Sequence, residues 1–147
     1  MDTVSPQTRS AIMRKVCSTN TIPELRVRSA LHSLGYRFRI HAKDLPGTPD
    51  IVLPRFSVAL FVHGCFWHKH RNCKNVRIPG TNTDYWLSKL DRNVNRDKIN
   101  RASLRKLGWK PIVIWECQTK TPMKLFRTIS RMMPPWSPAP SRRITHV

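Results

Sequence analysis

The sequence contains few acidic residues and many basic ones. Asp and Glu number 8 among 147 residues, against 27 Lys and Arg, which gives a formal charge of +19. The basic residues are spread along the whole chain, so they do not form a single solvated tail. This balance predicts a polyanionic partner, and nucleic acid is the leading candidate because each neutralised phosphate releases condensed counterions. A ribosomal-type or merely solubilising surface is the alternative, but such proteins rarely carry five tryptophans and a cysteine–histidine cluster.

The sequence also lacks a long apolar run. No stretch approaches the roughly twenty apolar residues that a membrane-spanning helix needs, and the N-terminal segment has no apolar core of the kind found in secretion signals. We therefore expect a soluble, cytoplasmic protein without a membrane partner. In that compartment the four cysteines are more often metal ligands or spare thiols than disulfides.

No internal repeat is visible, and the length suits one domain. We expect a short helix or arm at residues 1–20, a single domain at 21–133 and a disordered, proline-rich tail at 134–147. Apolar spacing predicts helices at 23–34, 84–107 and 122–133, and strands at 36–40, 50–53, 58–63 and 109–117. This order fits an α/β fold in which helices flank a mixed sheet.

Asp50 follows the turn-rich segment 45–49 and begins a predicted strand. An isolated Pro-Asp pair more often closes a turn. Here a helix with Glu24 in its first turn precedes it and a second strand follows, an arrangement that resembles the core of the PD-(D/E)xK nucleases. The resemblance implies that Asp50 holds magnesium against a scissile phosphate. In that core the next strand carries a second acid and a lysine, whereas this chain has Phe61, Val62 and His63 there. The backbone carbonyl of Val62 could therefore serve as a metal ligand instead.

Residues 63–73 read HGCFWHKHRNC and contain a candidate zinc site. The spacing of Cys65, His70 and Cys73 lets one loop fold around an ion that prefers four tetrahedral nitrogen or sulfur ligands. Cys117 ends the last predicted strand and would complete a Cys3His site if that strand lies beside the one preceding the loop. The alternative is that the cysteines are small buried apolar residues, but the polar loop around His70 and Cys73 favours structural zinc.

This assignment leaves two histidines of the same stretch, His63 and His68, without a metal. A single histidine on a strand is more often structural than catalytic. Both, however, follow the strand expected to face Asp50, and imidazole can accept a proton from water near neutral pH, which suits phosphodiester hydrolysis. Asp97, on the inner face of the long helix, could orient one of them.

The aromatic residues divide into two groups. Trp109 and Trp115 are expected to pack in the core. Phe66 and Trp67 are adjacent in a turn after a strand, so both cannot point into one core, and we expect at least one to be exposed.

Several segments match, in order, the motifs of the very short patch repair (Vsr) mismatch endonucleases, which the chain resembles over about residues 8–117. The segments are TRSAIMRKV, PE at 23–24, LPGTPD, FVHGCFWH, the T-x-T-x-x-W-L-x-K-x-x-x-N-x-x-R-D run at 81–97, and WEC at 115–117. The resemblance implies a magnesium-dependent DNA endonuclease that nicks one strand 5′ to the thymine of a T:G mismatch arising from 5-methylcytosine deamination. It also implies a monomer bound to double-stranded DNA at the bacterial nucleoid, with mismatch-repair proteins as candidate partners.

The resemblance also assigns roles to individual residues. Magnesium would bind Asp50 and the Val62 carbonyl, His68 would be the general base, and support would come from His63 and Glu24. Structural zinc would be held by Cys65, His70, Cys73 and Cys117. Three aromatic residues would open the duplex beside the mismatch from the major groove: Phe66, Trp67 and Trp86. Met13 would approach from the minor groove. Lys89 and Asn93 would contact the mismatched pair. A mismatched step is the least costly to unstack.

Two other functions stay open. One is a sequence-specific nicking or restriction-type endonuclease of the same fold, and the other is a non-catalytic, zinc-stabilised DNA-binding protein. The non-catalytic function is opposed by four residues that suit phosphodiester hydrolysis: Asp50, Glu24, His63 and His68. The three candidate wedge residues favour mismatch use over cleavage of plain duplex.

Overall fold

The computed structural model describes residues 20–74 and 76–133. Met13, nearly all of the predicted arm and the predicted tail therefore lie outside the described residues. Within them, helices and strands follow the predicted order: α1 (Ile22–Ser33), β1 (Arg39–Ile40), β2 (Ile51–Leu53), β3 (Val58–His63), α2 (Thr83–Lys106), β4 (Lys110–Trp115) and α3 (Pro122–Met132). Short 3-10 turns follow β2 at Pro54–Phe56 and β4 at Glu116–Thr119.

The four strands form one mixed sheet in the order β1-β2-β3-β4. The first three are antiparallel neighbours, whereas β4 pairs with β3 in parallel, with His63 opposite Trp115. Two adjacent parallel strands end at the same edge of the sheet, so the loops that follow β3 and β4 leave side by side. The predicted placement of the last strand beside the one that precedes the cysteine–histidine loop is confirmed.

Helices cover both faces of the sheet, which confirms the predicted mixed α/β fold. On one face, β2, β3 and β4 pack against α1 and α3; the centre of this core includes Val27, Leu31, Leu60, Ile114 and Ile129. On the other face a smaller cluster forms beneath α2 from Ala59, Phe61 and Leu104, with Trp109 partly buried against it. Residues of β3 alternate between the two clusters. The alternation places His63 on the same face as Phe61, beneath α2.

The helix termini carry their expected signals. Thr21 is the N-cap of α1, and its side chain accepts a hydrogen bond from the Glu24 backbone N–H at 3.4 Å. Gly35 and Gly108 follow the C-terminal ends of α1 and α2 with φ of +87°, a conformation that glycine adopts without strain. No helix in the described ranges combines the length and apolar character required to cross a membrane.

Two predicted strands are shorter in the structure. Pairing at 36–40 is limited to Arg39–Ile40, because β2 offers only three residues before Pro54, which has no backbone N–H, and because His41 leaves the strand with φ of +49°. The strand predicted at 109–117 ends at Trp115, so Cys117 lies in the following 3-10 turn. The predicted apolar stripe of α2 is also only partly buried: Leu90 and Leu104 alone are fully enclosed.

Candidate active site and metal centre

An open cleft of about 560 Å³ lies where β3 reaches the edge of the sheet. Its walls come from the start of α1, the loop that precedes β2, the end of β3 with the loop after it, α2, and the turn after β4. All the predicted catalytic and magnesium-binding residues line it: Glu24, Asp50, Val62, His63, His68 and Asp97. These six predicted residues come from four separate segments of the sequence and share one cleft.

Asp50 is fixed at the floor of the cleft by the sheet. Its Oδ2 accepts a hydrogen bond from the Val62 backbone N–H at 2.7 Å, and its carbonyl accepts one from the His41 backbone N–H at 3.1 Å. Burial and the negative charge of Glu24, partly opposed by the Val62 hydrogen bond, raise the pKa of Asp50 to about 6. A half-buried carboxylate whose charge is disfavoured fits a hard divalent cation such as Mg²⁺, which prefers oxygen ligands.

Glu24 is 2% exposed and fully engaged. Its Oε1 lies 2.6 Å from Arg28 and 2.6 Å from His41 Nε2, and its Oε2 accepts the Asn20 backbone N–H at 2.9 Å. Burial alone would raise the pKa of Glu24, but the hydrogen bonds from His41 and Arg28 and their charges lower it below its usual value. Glu24 is therefore an ionised, paired acid, and its negative charge raises the pKa of Asp50.

Arg28 is expected to stabilise this acid strongly. Substituting Arg28→Met leaves Glu24 buried with one cationic partner fewer, so the free energy of unfolding should fall by about 2–3 kcal/mol in urea titrations at pH 7. Because the folded-state pKa of Glu24 is depressed, this stabilisation is present above its ordinary pKa of 4.5 and is lost as the pH falls further. The two proteins should therefore converge in stability at low pH.

The matched control is Arg39→Met, which removes a 3.8 Å ion pair with Asp44 in which both side chains are more than half exposed. That change should alter stability by no more than about 0.5 kcal/mol. Equal losses in both variants would contradict the special role of the Glu24 network.

His63, His68 and Asp97 form a connected group on the α2 side of the cleft. Their ligand atoms lie within 4.8 Å of one another. The two imidazole rings stack with centroids 3.7 Å apart and planes 6° apart, and His68 Nδ1 is 2.6 Å from Asp97 Oδ2. Burial would raise the pKa of Asp97, but the hydrogen bond to His68 and the histidine charges lower it. Asp97 is thus hydrogen-bonded to one of the two histidines that it was predicted to contact.

His63 is 4% exposed, and its Nδ1 is buried without a hydrogen-bond partner in the described part of the chain. Burial, together with the neighbouring His68, lowers the pKa of His63 to about 3. The ring is therefore neutral at physiological pH and offers an unused polar atom, whereas its neighbour His68 is half-exposed to the cleft.

The predicted zinc ligands converge on one point. The ligand atoms of Cys65, His70, Cys73 and Cys117 all lie within 4.8 Å of one another, and Cys117 Sγ is 3.5 Å from His70 Nδ1. Neighbouring ligands of tetrahedral zinc are about 3.3–3.8 Å apart, given metal–ligand bonds of about 2.0–2.3 Å. Burial, together with the neighbouring thiols, raises the pKa of Cys65 to about 12, and burial also raises the pKa of Cys117. Thiols whose ionisation is disfavoured in this way fit a site built around a cation, which would favour the thiolate.

A cluster of rings adjoins the cleft on its outer side. Phe66, Trp67 and Trp86 lie with ring centroids 5.1–6.0 Å apart, and Lys89 Nζ lies 5.2 Å from the centre of the Trp67 ring. Asn93 donates a hydrogen bond to the Trp67 carbonyl at 3.1 Å. The predicted DNA-contacting residues of the described chain are therefore neighbours; we call this group the ring cluster.

The burial of the aromatic residues differs from the prediction. We expected at least one of Phe66 and Trp67 to be exposed, but both are half-buried. They pack against each other and against Trp86 instead. Trp109 packs against the core beneath α2. Trp115 is not core: it is half-buried and stacks on His70 at 4.1 Å, with His63 at 5.2 Å. It joins the cysteine–histidine cluster to the histidines of the cleft.

The three partners of Glu24 were not predicted from the sequence: Asn20, Arg28 and His41. Arg28 lies one helical turn after Glu24, a spacing that favours an ion pair, so this contact could have been found. His41 and Asn20 carry no comparable signal. They reach Glu24 because both adopt positive φ, 49° and 62°, which no residue pattern around them indicates.

Known proteins include clear relatives of this chain. The family model of "DNA mismatch endonuclease Vsr" matches residues 1–75. A type II nicking enzyme of Xanthomonas oryzae, V.XorIIP, is 51% identical over 80% of this chain and 85% of its own. The nicking enzyme V.NmeAIP of Neisseria meningitidis is 44% identical over 81% and 84%, and the DNA mismatch endonuclease Vsr of Escherichia coli is 40% identical over 80% and 75%.

Proposed function

The chain belongs to the Vsr family of DNA mismatch endonucleases, and from that premise we propose that it nicks one strand of a duplex 5′ to the thymine of a T:G mismatch. Such mismatches arise when 5-methylcytosine is deaminated. The observation that carries the proposal is the position of the ring cluster beside a cleft that contains Asp50 and the His68–Asp97 pair. Recognition and hydrolysis groups adjoin within one chain, which is why we propose a monomer as the active species.

Hydrolysis in this cleft needs a base for the attacking water, and we assign that role to His68. Asp97 bonds His68 Nδ1 and so keeps a proton on that nitrogen, which leaves Nε2 as the acceptor. The neutral ring of His63 stacks on His68 and limits its rotation. The proton of the attacking water therefore passes to His68 Nε2 as the water oxygen bonds to phosphorus, while the P–O bond to the leaving nucleoside oxygen breaks and that oxygen takes a proton from solvent.

The scissile phosphate requires a counter-charge, for which we propose magnesium held by Asp50 and the Val62 carbonyl. Magnesium bound by these two oxygens would supply Lewis-acid polarisation of the phosphoryl group. The sheet holds Asp50 through the Val62 N–H. His41, which is bonded to Glu24, donates its backbone N–H to the Asp50 carbonyl. This arrangement supports a PD-(D/E)xK-like core in which histidine stands where that core carries lysine.

Mismatch recognition is assigned to the ring cluster. Phe66, Trp67 and Trp86 present three half-buried rings that can replace base stacking when a step opens, with Lys89 above the Trp67 ring and able to reach a phosphate or base edge. Opening costs a few kcal/mol and least at a mismatched step. Zinc bound by Cys65, His70, Cys73 and Cys117 is proposed to hold the loop that bears two of these rings and His68.

A second candidate function comes from the relatives. V.XorIIP and V.NmeAIP are both named type II nicking enzymes, so a nicking endonuclease that requires a particular sequence, with or without a mismatch, has specific support. A non-catalytic DNA-binding protein has less, because the cleft contains a complete base–acid pair beside Asp50.

The proposal is tested with duplexes that are identical except for one T:G or T:A pair. With magnesium present, the T:G duplex should be nicked at least about a hundredfold faster, because opening a paired step costs roughly 2.7 kcal/mol more. Product mapping should place the nick 5′ to the thymine. The duplexes should be drawn from a library with random flanks, so that any flanking preference is covered.

Each alternative has its own outcome in this assay. Equal nicking of T:G and T:A duplexes within one flanking sequence would support the sequence-specific enzyme. Retention of both duplexes in a gel shift without nicking, at any magnesium concentration, would support the binding protein.

A further inference from the structure

The face of α2 that carries Lys89 and Asn93 extends one turn further towards the start of the helix. Tyr85, Lys89 and Asn93 follow one another at intervals of four residues, so their side chains lie along one stripe of the helix. Asn93 donates to the Trp67 carbonyl, and Lys89 Nζ lies over the Trp67 ring. Tyr85 continues the stripe, is 52% exposed and has no role in the function proposed above.

The ammonium group of this stripe lies among three aromatic rings. Lys89 Nζ is 5.2 Å from the centre of the Trp67 ring, 5.8 Å from that of Trp86 and 5.9 Å from that of Tyr85. All three distances are within the roughly 6 Å at which the face of an aromatic ring attracts a cation. We call Trp67, Trp86 and Tyr85 the lysine cage.

The walls of the lysine cage come from two parts of the fold. Tyr85 and Trp86 lie near the start of α2 and meet edge to face, with centroids 5.4 Å apart and planes 74° apart. Trp67 belongs to the loop that follows β3. Lys89 therefore connects the helix to that loop, and Tyr85 is the wall that is most exposed to solvent.

The lysine cage holds Lys89 without an acid. Among the residues that the structure describes, Lys89 forms no ion pair, whereas Lys69 is paired with Asp91 at 2.9 Å. A carboxylate would fix the ammonium but cancel much of its attraction for an anion. A ring attracts the ammonium through its quadrupole and leaves the charge available to a phosphate or a base edge. A lysine held in this way also loses less rotamer freedom when it binds DNA.

We propose that Tyr85 is a positioning residue for DNA recognition, because it completes the lysine cage and so holds the Lys89 ammonium beside the rings assigned to the mismatched step. The proposal rests on the proposed mismatch recognition and extends it by one residue. Lys89 then reaches the DNA together with the Trp67 and Trp86 rings, and not as an independent, mobile side chain.

The lysine cage itself is tested in the zinc-loaded full chain without DNA. The measurement is the proton NMR signal of the Lys89 ε-methylene group, assigned by its loss in Lys89→Met. Because protons above the face of a ring resonate upfield, this signal should lie upfield of the other lysines in the wild type and in Tyr85→Phe, which keeps the ring. It should move downfield in Tyr85→Leu. An unshifted signal in the wild type, or one that Tyr85→Leu leaves in place, would overturn the proposal.

The role in recognition is tested by a double-mutant cycle on the affinity for a T:G duplex, measured by fluorescence anisotropy without magnesium. Tyr85→Leu should weaken binding by about two- to fivefold, as expected for one cation–π contact near the surface. The same change made in Lys89→Met should have no further effect, and Tyr85→Phe should bind as the wild type does. The control is Ile99→Ala, which shortens another exposed side chain of α2 and should leave the affinity unchanged.

Two outcomes separate this proposal from its alternatives. An equal loss from Tyr85→Leu with and without Lys89 would overturn it and mark Tyr85 as a direct DNA contact. A wild type that binds T:G and T:A duplexes equally and nicks neither preferentially would remove the mismatch function instead. The NMR signal and the cycle on the shared affinity would then still decide whether Tyr85 positions Lys89.

Discussion

Asp50→Asn is expected to abolish nicking while leaving the protein at least as stable as the wild type. The carboxylate is the fixed ligand of the proposed magnesium site, and losing Lewis-acid stabilisation worth roughly 4 kcal/mol lowers the rate by about a thousandfold or more. The amide keeps an oxygen that can accept the Val62 N–H now bound at 2.7 Å. The loss of activity therefore should not come from a rearranged strand.

The stability expectation follows from the pKa. Burial raises the pKa of Asp50 to about 6 from an ordinary value of 3.8, so the folded protein holds this proton more tightly than the unfolded chain. A carboxyl of that kind makes the fold less stable as the pH rises from about 4 to 6. A neutral amide removes that cost, and Asp50→Asn should unfold at an equal or higher temperature at pH 7 in buffer without added magnesium.

The matched control for this experiment is Asp44→Asn. Asp44 is an exposed acid in the loop before β2, with a 3.8 Å contact to Arg39, and it does not line the cleft. Its replacement should change neither the single-turnover rate on a T:G duplex nor the melting temperature beyond experimental error. A rate in Asp50→Asn within about tenfold of the wild-type rate would show that Asp50 is not a ligand of the catalytic metal.

Much of the framework could be predicted because it depends on periodicity. The order of helices and strands, the N-cap Thr21 and the terminating Gly35 and Gly108 are local features of the chain. The convergence of Cys117 with Cys65 needed only one non-local assumption, the pairing of β4 with β3. That pairing is confirmed, and it brings together the predicted Cys/His cluster.

Other parts of the site depend on backbone conformations that side-chain patterns do not indicate. His41 reaches Glu24 only because its φ is +49°, and Glu116 enters the cleft only because of the register between two parallel strands. The stacking of His63 on His68 requires the loop to turn back at once after β3. Non-local register and local reversals are therefore where the sequence alone was insufficient.

The structure also links the Cys/His cluster to the histidines of the cleft through one ring. Trp115 stacks on His70 at 4.1 Å and meets His63 at 5.2 Å. Between the proposed zinc ligands Cys65 and His70 lie Phe66, Trp67 and His68, so this short segment contains the proposed base and two of the proposed wedge rings. If zinc holds the segment, the position of His68 should depend on the zinc ligands.

Removal of one zinc ligand is expected to cost both stability and activity. Cys65 is 1% exposed and Cys117 Sγ lies 3.5 Å from His70 Nδ1, so Cys117→Ser removes one of the four converging ligand atoms, the one supplied by the turn after β4. We expect zinc content to fall from about one equivalent to below half. A loss of roughly 3 kcal/mol should lower the melting temperature by about 10 °C, and nicking at saturating magnesium should fall by at least about a hundredfold.

Cys17→Ser is the matched control, because Cys17 is the one cysteine of the chain outside this group. It should retain zinc, melting temperature and activity. The informative comparison is the rate per folded molecule at a temperature well below both melting points. If Cys117→Ser is folded there and its rate equals that of the wild type, zinc only stabilises the fold. A lowered rate in folded protein, with an unchanged magnesium requirement, would show instead that the zinc-bound loop positions His68. In that case the proposed ligands of magnesium remain in place, and only the base and the aromatic rings have lost their fixed geometry.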